Sequence, residues 1–174
     1  PTKARTRVRA AIEEVNAMKK LVLSAALGAL ALTPAALAEN HEIQMLNVGS
    51  DGQPMVFEPA YLEIAPGDTV TFINAQGAHN AQTIDGMLPE GAEGFVGGMR
   101  QDVSFTPTEE GVWGIKCMPH YGAGMVALIK VGEGEAANLA EAQEVRHPGR
   151  ARGRFEALFA QAEADQSESA DEAR

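Results

Sequence analysis

A second cysteine is missing. The 174-residue chain holds one, Cys117, so no disulfide can form within it. Positive charge is scarce as well: 14 Lys and Arg stand against 24 Asp and Glu, for a formal net charge of −10. A polyanion of this kind repels phosphates, which argues against nucleic acid and anionic membrane surfaces as partners. Nor is there an internal repeat. No apolar run is long enough to span a bilayer, which takes roughly 20 residues; the best stretch begins at Leu21 and is interrupted at Thr33-Pro34.

That interrupted run has another meaning. In "MKKLVLSAALGALALTPAALA" two lysines, Lys19 and Lys20, precede the apolar stretch, and Ala36-Leu37-Ala38 forms a small-residue exit. These are the parts of a secretory signal peptide over residues 18–38, expected to be cut before Glu39. Residues 1–17 lack a methionine and precede Met18; they read as an upstream extension, with translation expected to start at Met18, or as a long n-region. Removal of residues 1–38 takes two acids and six bases. The remainder, 22 acids and 8 bases, carries a formal charge of −14. Export would also place Cys117 in an oxidising compartment, where an exposed free thiol is oxidised or cross-linked. A buried inert thiol, an intermolecular disulfide and a metal ligand are the available explanations.

From Glu39 to about Val131 the chain alternates short β patterns with turns. "HEIQMLNV" runs into "GSDGQP"; Pro59 divides "MVFEPAYLEI" and predicts an edge strand or a bend between two strands. After the turn Pro66-Gly67-Asp68, "TVTFIN" sets Val70 and Phe72 on one face and Thr69, Thr71 and Ile73 on the other. "QDVSFTP", "VWGIKC" and "GMVALIKVG" continue the style, while "IDGMLPEGAEGFVGGMR" predicts a loop or a short helix. About eight short strands predict an all-β Greek-key sandwich. Beyond Gly134, "EAANLAEAQEV" and "RARGRFEALFAQAEA" predict two helices separated at Pro148-Gly149, with Phe155, Leu158 and Phe159 facing the sandwich. Residues 39–164 thus form one domain. The polar tail, 165–174, is expected to be disordered.

Chemistry concentrates in "CMPHYGAGM", where Cys117, His120 and Met125 stand on a loop between two strands. Thiolate and thioether beside imidazole select copper, and two histidines, one cysteine and a long axial methionine describe a mononuclear electron-transfer site. His79, in "GAHN" past the end of a strand, can supply the second imidazole. His41 and His147 are placed less well, one near the start of the domain and the other between the helices. Plainer explanations exist: His79 as a surface residue, and Met125 as core in a chain that also has Met45, Met55, Met87, Met99 and Met118. Zinc is the other metal to weigh, although thioether suits it poorly. A thiol nucleophile is the enzymatic alternative, but its base usually comes from far along the chain and no protease signature is present.

"MVFEPAYLEIAPGDTVTFIN", "GAHN", "GMLPEGAEGF" and "CMPHYGAGMVALIKVG" resemble the pseudoazurins, bacterial periplasmic blue copper proteins of the cupredoxin fold. The resemblance runs from Glu39 to about Ala164 and includes the two helices; plastocyanin shares the C-x2-H-x4-M loop, but its chain stops after the last strand. It implies one copper per chain bound by His79, Cys117, His120 and Met125, with Asn80 bracing the ligand loops. Pro119 has no N–H to offer the thiolate, so Pro119→Ala is expected to shift the reduction potential. The resemblance further implies a monomeric periplasmic electron carrier, not an enzyme, serving nitrite reductase, nitrous oxide reductase or a c-type cytochrome in denitrification. Pseudoazurins commonly ring their docking patch with lysines. Here the domain keeps Lys116 and Lys130, with Arg100 in the preceding loop, which weakens the expected steering. A copper-delivery protein without redox traffic is the competing function.

Overall fold

Alternating residues decide the architecture. The computed structural model describes residues 37–172, with side chains to Ser167; the signal-peptide segment up to residue 36 and the upstream extension lie outside the described residues. Eight strands follow: β1 (Asn40–Val48), β2 (Pro54–Glu58), β3 (Tyr61–Ile64), β4 (Thr69–Ile73), β5 (Gln82–Thr83), β6 (Val103–Phe105), β7 (Gly111–Lys116) and β8 (Val126–Val131). They form two four-stranded sheets, ordered β2-β1-β4-β6 and β3-β8-β7-β5. β1 runs parallel to β4, and β3 parallel to β8; the remaining pairs are antiparallel. The chain changes sheet at Pro59, whose peptide bond to Glu58 is cis; β2 and β3, the two halves of the Pro-divided segment, are both edge strands.

The first sheet shows the expected alternation. Ile43 and Met45 of β1, and Val70 and Phe72 of β4, point inward and are fully buried. Opposite them stand Trp113 and Ile115 of β7 with Ala127, Ile129 and Val131 of β8. Phe72 meets Phe57 edge-on at 5.4 Å between ring centres, and burying each such side chain contributes about 1.5–3 kcal/mol.

β7 and β8 are covered on both faces, which is why they read as nearly continuous apolar runs. Val112, Val126 and Leu128 point away from the first sheet and pack in a second core with Leu139, Ala142, Phe155, Leu158 and Phe159. The last five come from two helices, α1 (Leu139–Gln143) and α2 (Ala151–Glu172). Asn138 anchors α1: its side-chain carbonyl accepts the Val112 N–H, and its amide donates to the Val112 carbonyl.

Two expectations need correction. The tail expected to be disordered is helical as far as Glu172, because no glycine or proline follows Gly153 and alanine, glutamate and glutamine sustain a helix in water. Lys130, expected among the surface bases, is 1% exposed. It sits mid-strand in β8, directly beside Glu63 in the β3 register, and its ammonium is paired with that carboxylate. Glu63→Ala would strand a buried cation, an expensive state. It is expected to cost about 2–3 kcal/mol, read as a lowered midpoint in denaturant, and Glu63→Asp to recover part of the loss.

Candidate metal centre

Parity carries Cys117 and Met125 into the site. Along β7, Trp113, Ile115 and then Cys117 face the space between the sheets, and along β8 so do Met125, Ala127 and Ile129. Cys117 and Met125 are therefore neighbours at one end of the inter-sheet core, both fully buried. The Cys117 N–H donates to the Met125 carbonyl, and the His120 and Met125 N–H groups donate to the carbonyls of Cys117 and His120. These bonds close the loop between β7 and β8 tightly on itself.

His79 arrives from the other sheet, on the loop after β4. Its N–H is received by the Asn74 side chain, and its carbonyl accepts the Arg100 N–H. Its ring Nε2 lies 3.0 Å from Asn47 Oδ1. A carbonyl oxygen only accepts, so Nε2 carries the proton and Nδ1 presents a lone pair to the site. Sequence reasoning missed Asn47, which lies 32 positions from His79 and has no spacing signal.

The Nδ1 atoms of His79 and His120 are 3.0 Å apart, and Cys117 Sγ lies 3.8 Å and 3.5 Å from them. A triangle with these edges surrounds a point about 2 Å from every corner, the length of a bond from a metal ion to imidazole or thiolate. Among the described residues this is the one group of three or more His, Cys, Asp and Glu side chains with that convergence. The donor set of two nitrogens and one sulfur, with the Met125 thioether just before the adjoining strand, fits copper better than zinc.

Burial pushes the Cys117 thiol up, against the opposing pull of the Asn80 and His120 N–H groups. Burial, with the neighbouring His120 ring, pushes His79 down. Both effects favour neutral side chains before a cation enters. Asn80 is 3% exposed. Its side-chain oxygen accepts the Met118 N–H at 2.8 Å while its amide donates to Gln82 and to the Gly97 carbonyl, so it joins the His79 loop to the cysteine loop. Pro119 is exposed in the turn that follows Cys117.

The start of α2 also reaches the ligand loop. Arg150 N–H donates to the Gly122 carbonyl, and the Arg154 guanidinium donates to the carbonyls of Gly124 and Met55 at 2.7 Å and of Pro54 at 3.0 Å. Gly124 has φ +97, and a Cβ there would meet the Arg154 side chain. The remaining two histidines are engaged elsewhere. His147 Nδ1 and the Tyr121 hydroxyl share a hydrogen bond at 2.6 Å, and the His147 ring stacks on Phe155; His41 bonds Asp68.

Two four-stranded sheets closing over one cysteine, two histidines and a methionine define a cupredoxin, and the description "copper binding proteins, plastocyanin/azurin family" matches residues 43–132. The pseudoazurin of Paracoccus pantotrophus is 42% identical over 138 residues, spanning 79% of this chain and 94% of the relative. A putative pseudoazurin of Rhizobium leguminosarum bv. viciae is 43% identical over 141 residues, 81% and 90% of the two chains. The solved pseudoazurin of Methylobacterium extorquens AM1 superposes with a TM-score of 0.67 at 41% identity, covering 70% of this chain and 98% of that one. The chain belongs to the pseudoazurins, within the plastocyanin/azurin family of copper-binding proteins. Its cofactor is copper, one ion per chain.

Proposed function

We propose that the protein is a one-electron carrier, with copper held by His79 Nδ1, Cys117 Sγ, His120 Nδ1 and the Met125 thioether. The convergence of three donor atoms within 4.8 Å of one another carries this reading. Bound there, copper supplies a reversible one-electron couple. The protein contributes the rest. The two sheets and the Asn80 bridge hold the donors in one arrangement, so little rearrangement accompanies electron transfer. His79, Cys117 and Met125 are fully buried, which keeps water away. His120 is the member of the four that is partly exposed, and its ring offers the electron a way out. Four donors leave no position for a substrate, which favours a carrier over an enzyme.

The surface beside His120 includes exposed Met118, at 62%, and exposed Gly122, an apolar approach suited to brief redox encounters. Charge steering there is limited. Lys116 lies 5.2 Å over the Tyr121 ring, Arg100 is exposed and Lys130 is buried. We place the mature protein in the periplasm, after removal of residues 1–38, acting as a monomer. Nitrite reductase, nitrous oxide reductase and c-type cytochromes are the proposed partners, in denitrification. Among the described residues no helix is long and apolar enough to cross a membrane.

Stopped-flow mixing of the reduced copper protein with oxidised nitrite reductase tests the role. Rapid reoxidation at catalytic concentrations is the expected result. Copper passing to an apo-acceptor without electron exchange would instead support the delivery reading.

A further inference from the structure

Asp68 holds an arrangement that the copper site does not use. The turn Ala65-Pro66-Gly67-Asp68, closed by the Asp68 N–H on the Ala65 carbonyl, presents a carboxylate that is part of a residue only 5% exposed. Oδ1 accepts the Glu39 N–H at 2.8 Å. Oδ2 accepts the Ala65 N–H at 3.0 Å and the His41 Nε2–H at 3.1 Å. The Glu39 carbonyl is fixed as well, accepting the Thr69 N–H at 2.8 Å. Residues 37–40 are all exposed, Leu37 at 88%, so the Asp68 carboxylate is held by the backbone of an otherwise exposed segment.

We propose that Asp68 is the receptor for the α-amino group created when the chain is cut between Ala38 and Glu39. The proposal rests on the reading of residues 18–38 as a cleaved leader. In that hydrolysis water gives its hydroxyl to the Ala38 carbonyl carbon and the C–N bond breaks. The Glu39 nitrogen takes the remaining proton and, at neutral pH, one more from solvent. The donor atom stays where it is and gains a full positive charge 2.8 Å from Asp68 Oδ1. An amide hydrogen bond becomes a charge-assisted one at a partner already in position.

The direction of the effect follows from the neighbours. The groups facing Asp68 are the Glu39 nitrogen, the His41 ring and the Ala65 N–H, and these hold its carboxyl below the usual carboxylate range. β4 and the segment after β6 bring the uncharged Thr69 and Thr106, which bond each other. The carboxylate is therefore ionised at neutral pH and raises the pKa of an amine beside it. An amine with a raised folded-state pKa adds stability that is fully present below its unfolded pKa, about 7.7–8.0. That stability is lost as pH rises through the folded value.

The test uses three copper-loaded proteins: one beginning at Glu39, one beginning at Ala38, and the Glu39 form acetylated on its α-amine. NMR titration is expected to give an α-amine pKa about one unit above the ordinary value in the Glu39 form and near the ordinary value in the Ala38 form. At pH 7 the Glu39 form is expected to melt about 3–5 °C above the other two, with the gap closing above about pH 10. Asp68→Asn is expected to return the α-amine of the Glu39 form to its ordinary value. An ordinary amine pKa in the Glu39 form, or equal melting of the three, would overturn the proposal. Mass spectrometry of the exported protein separately tests the cut: a chain beginning elsewhere would refute the leader reading, while the amine titration of the Glu39 form still decides whether Asp68 binds a terminus placed there.

Discussion

Cys117→Ser is expected to abolish the intense red-end absorption that one equivalent of Cu(II) produces in the wild-type protein, and to weaken copper binding by more than about 100-fold. The colour requires a sulfur donor, and a serine hydroxyl is both harder and far less acidic than a thiol. The magnitude exceeds the 10- to 100-fold typical of losing a residue that merely supports a ligand. The fold should survive. Cys117 ends the inter-sheet core rather than filling its centre, and serine is smaller than cysteine, so the substitution introduces no overpacking. A copper-free serine variant within about 1.5 kcal/mol of the copper-free wild type would separate loss of the ligand from loss of the fold. A variant that stays blue and redox-active would show that Cys117 does not hold the metal.

Arg154→Met is expected to lower stability by about 2–4 kcal/mol and also to disturb the copper spectrum. One guanidinium satisfies three backbone carbonyls, those of Pro54, Met55 and Gly124, which lie 100, 99 and 30 positions away in sequence. Hydrogen bonds from a charged group contribute about 1.5–3 kcal/mol each when well placed, and partial exposure of this cluster reduces the total. Methionine keeps most of the apolar stem, so the loss reports the hydrogen bonds rather than a cavity. Because Gly124 directly precedes Met125, freeing its carbonyl loosens the ligand loop as well. Lysine has a single ammonium, cannot reach both β2 and the ligand loop with the geometry of the planar fork, and should recover only part of the stability. Thermal melting with and without copper, together with the absorption spectrum, reads both effects; an unchanged spectrum would confine Arg154 to holding α2 in place.

These cases mark what the sequence made legible. Period-two alternation in "TVTFIN" put Val70 and Phe72 on one face, and Pro59 marked an edge strand or a bend between two strands, because both signals are local. The same parity carried Cys117 and Met125 to the inner face, and the C-x2-H-x4-M spacing fitted a closed loop between two paired strands. Asn47 and Arg154 were invisible for the opposite reason. Their partners are carbonyl oxygens and a ring nitrogen, brought close only when distant segments meet. Lys130 did leave a signal: a lysine within the apolar run "VALIKV" calls for an internal partner, and Glu63 supplies it from the neighbouring strand. The segment 84–100 forms no helix because its glycines and Pro89 favour turns, and its fixed points are Met87, fully buried, and the bridge of Val96 to Gln82.

X-ray absorption at the copper edge, on protein loaded with one equivalent, reads the donor set itself. The account predicts two imidazole nitrogens and one short sulfur, each about 2 Å from the metal. A shell of nitrogen and oxygen alone, with the Cys117 thiol still open to alkylation, would contradict it.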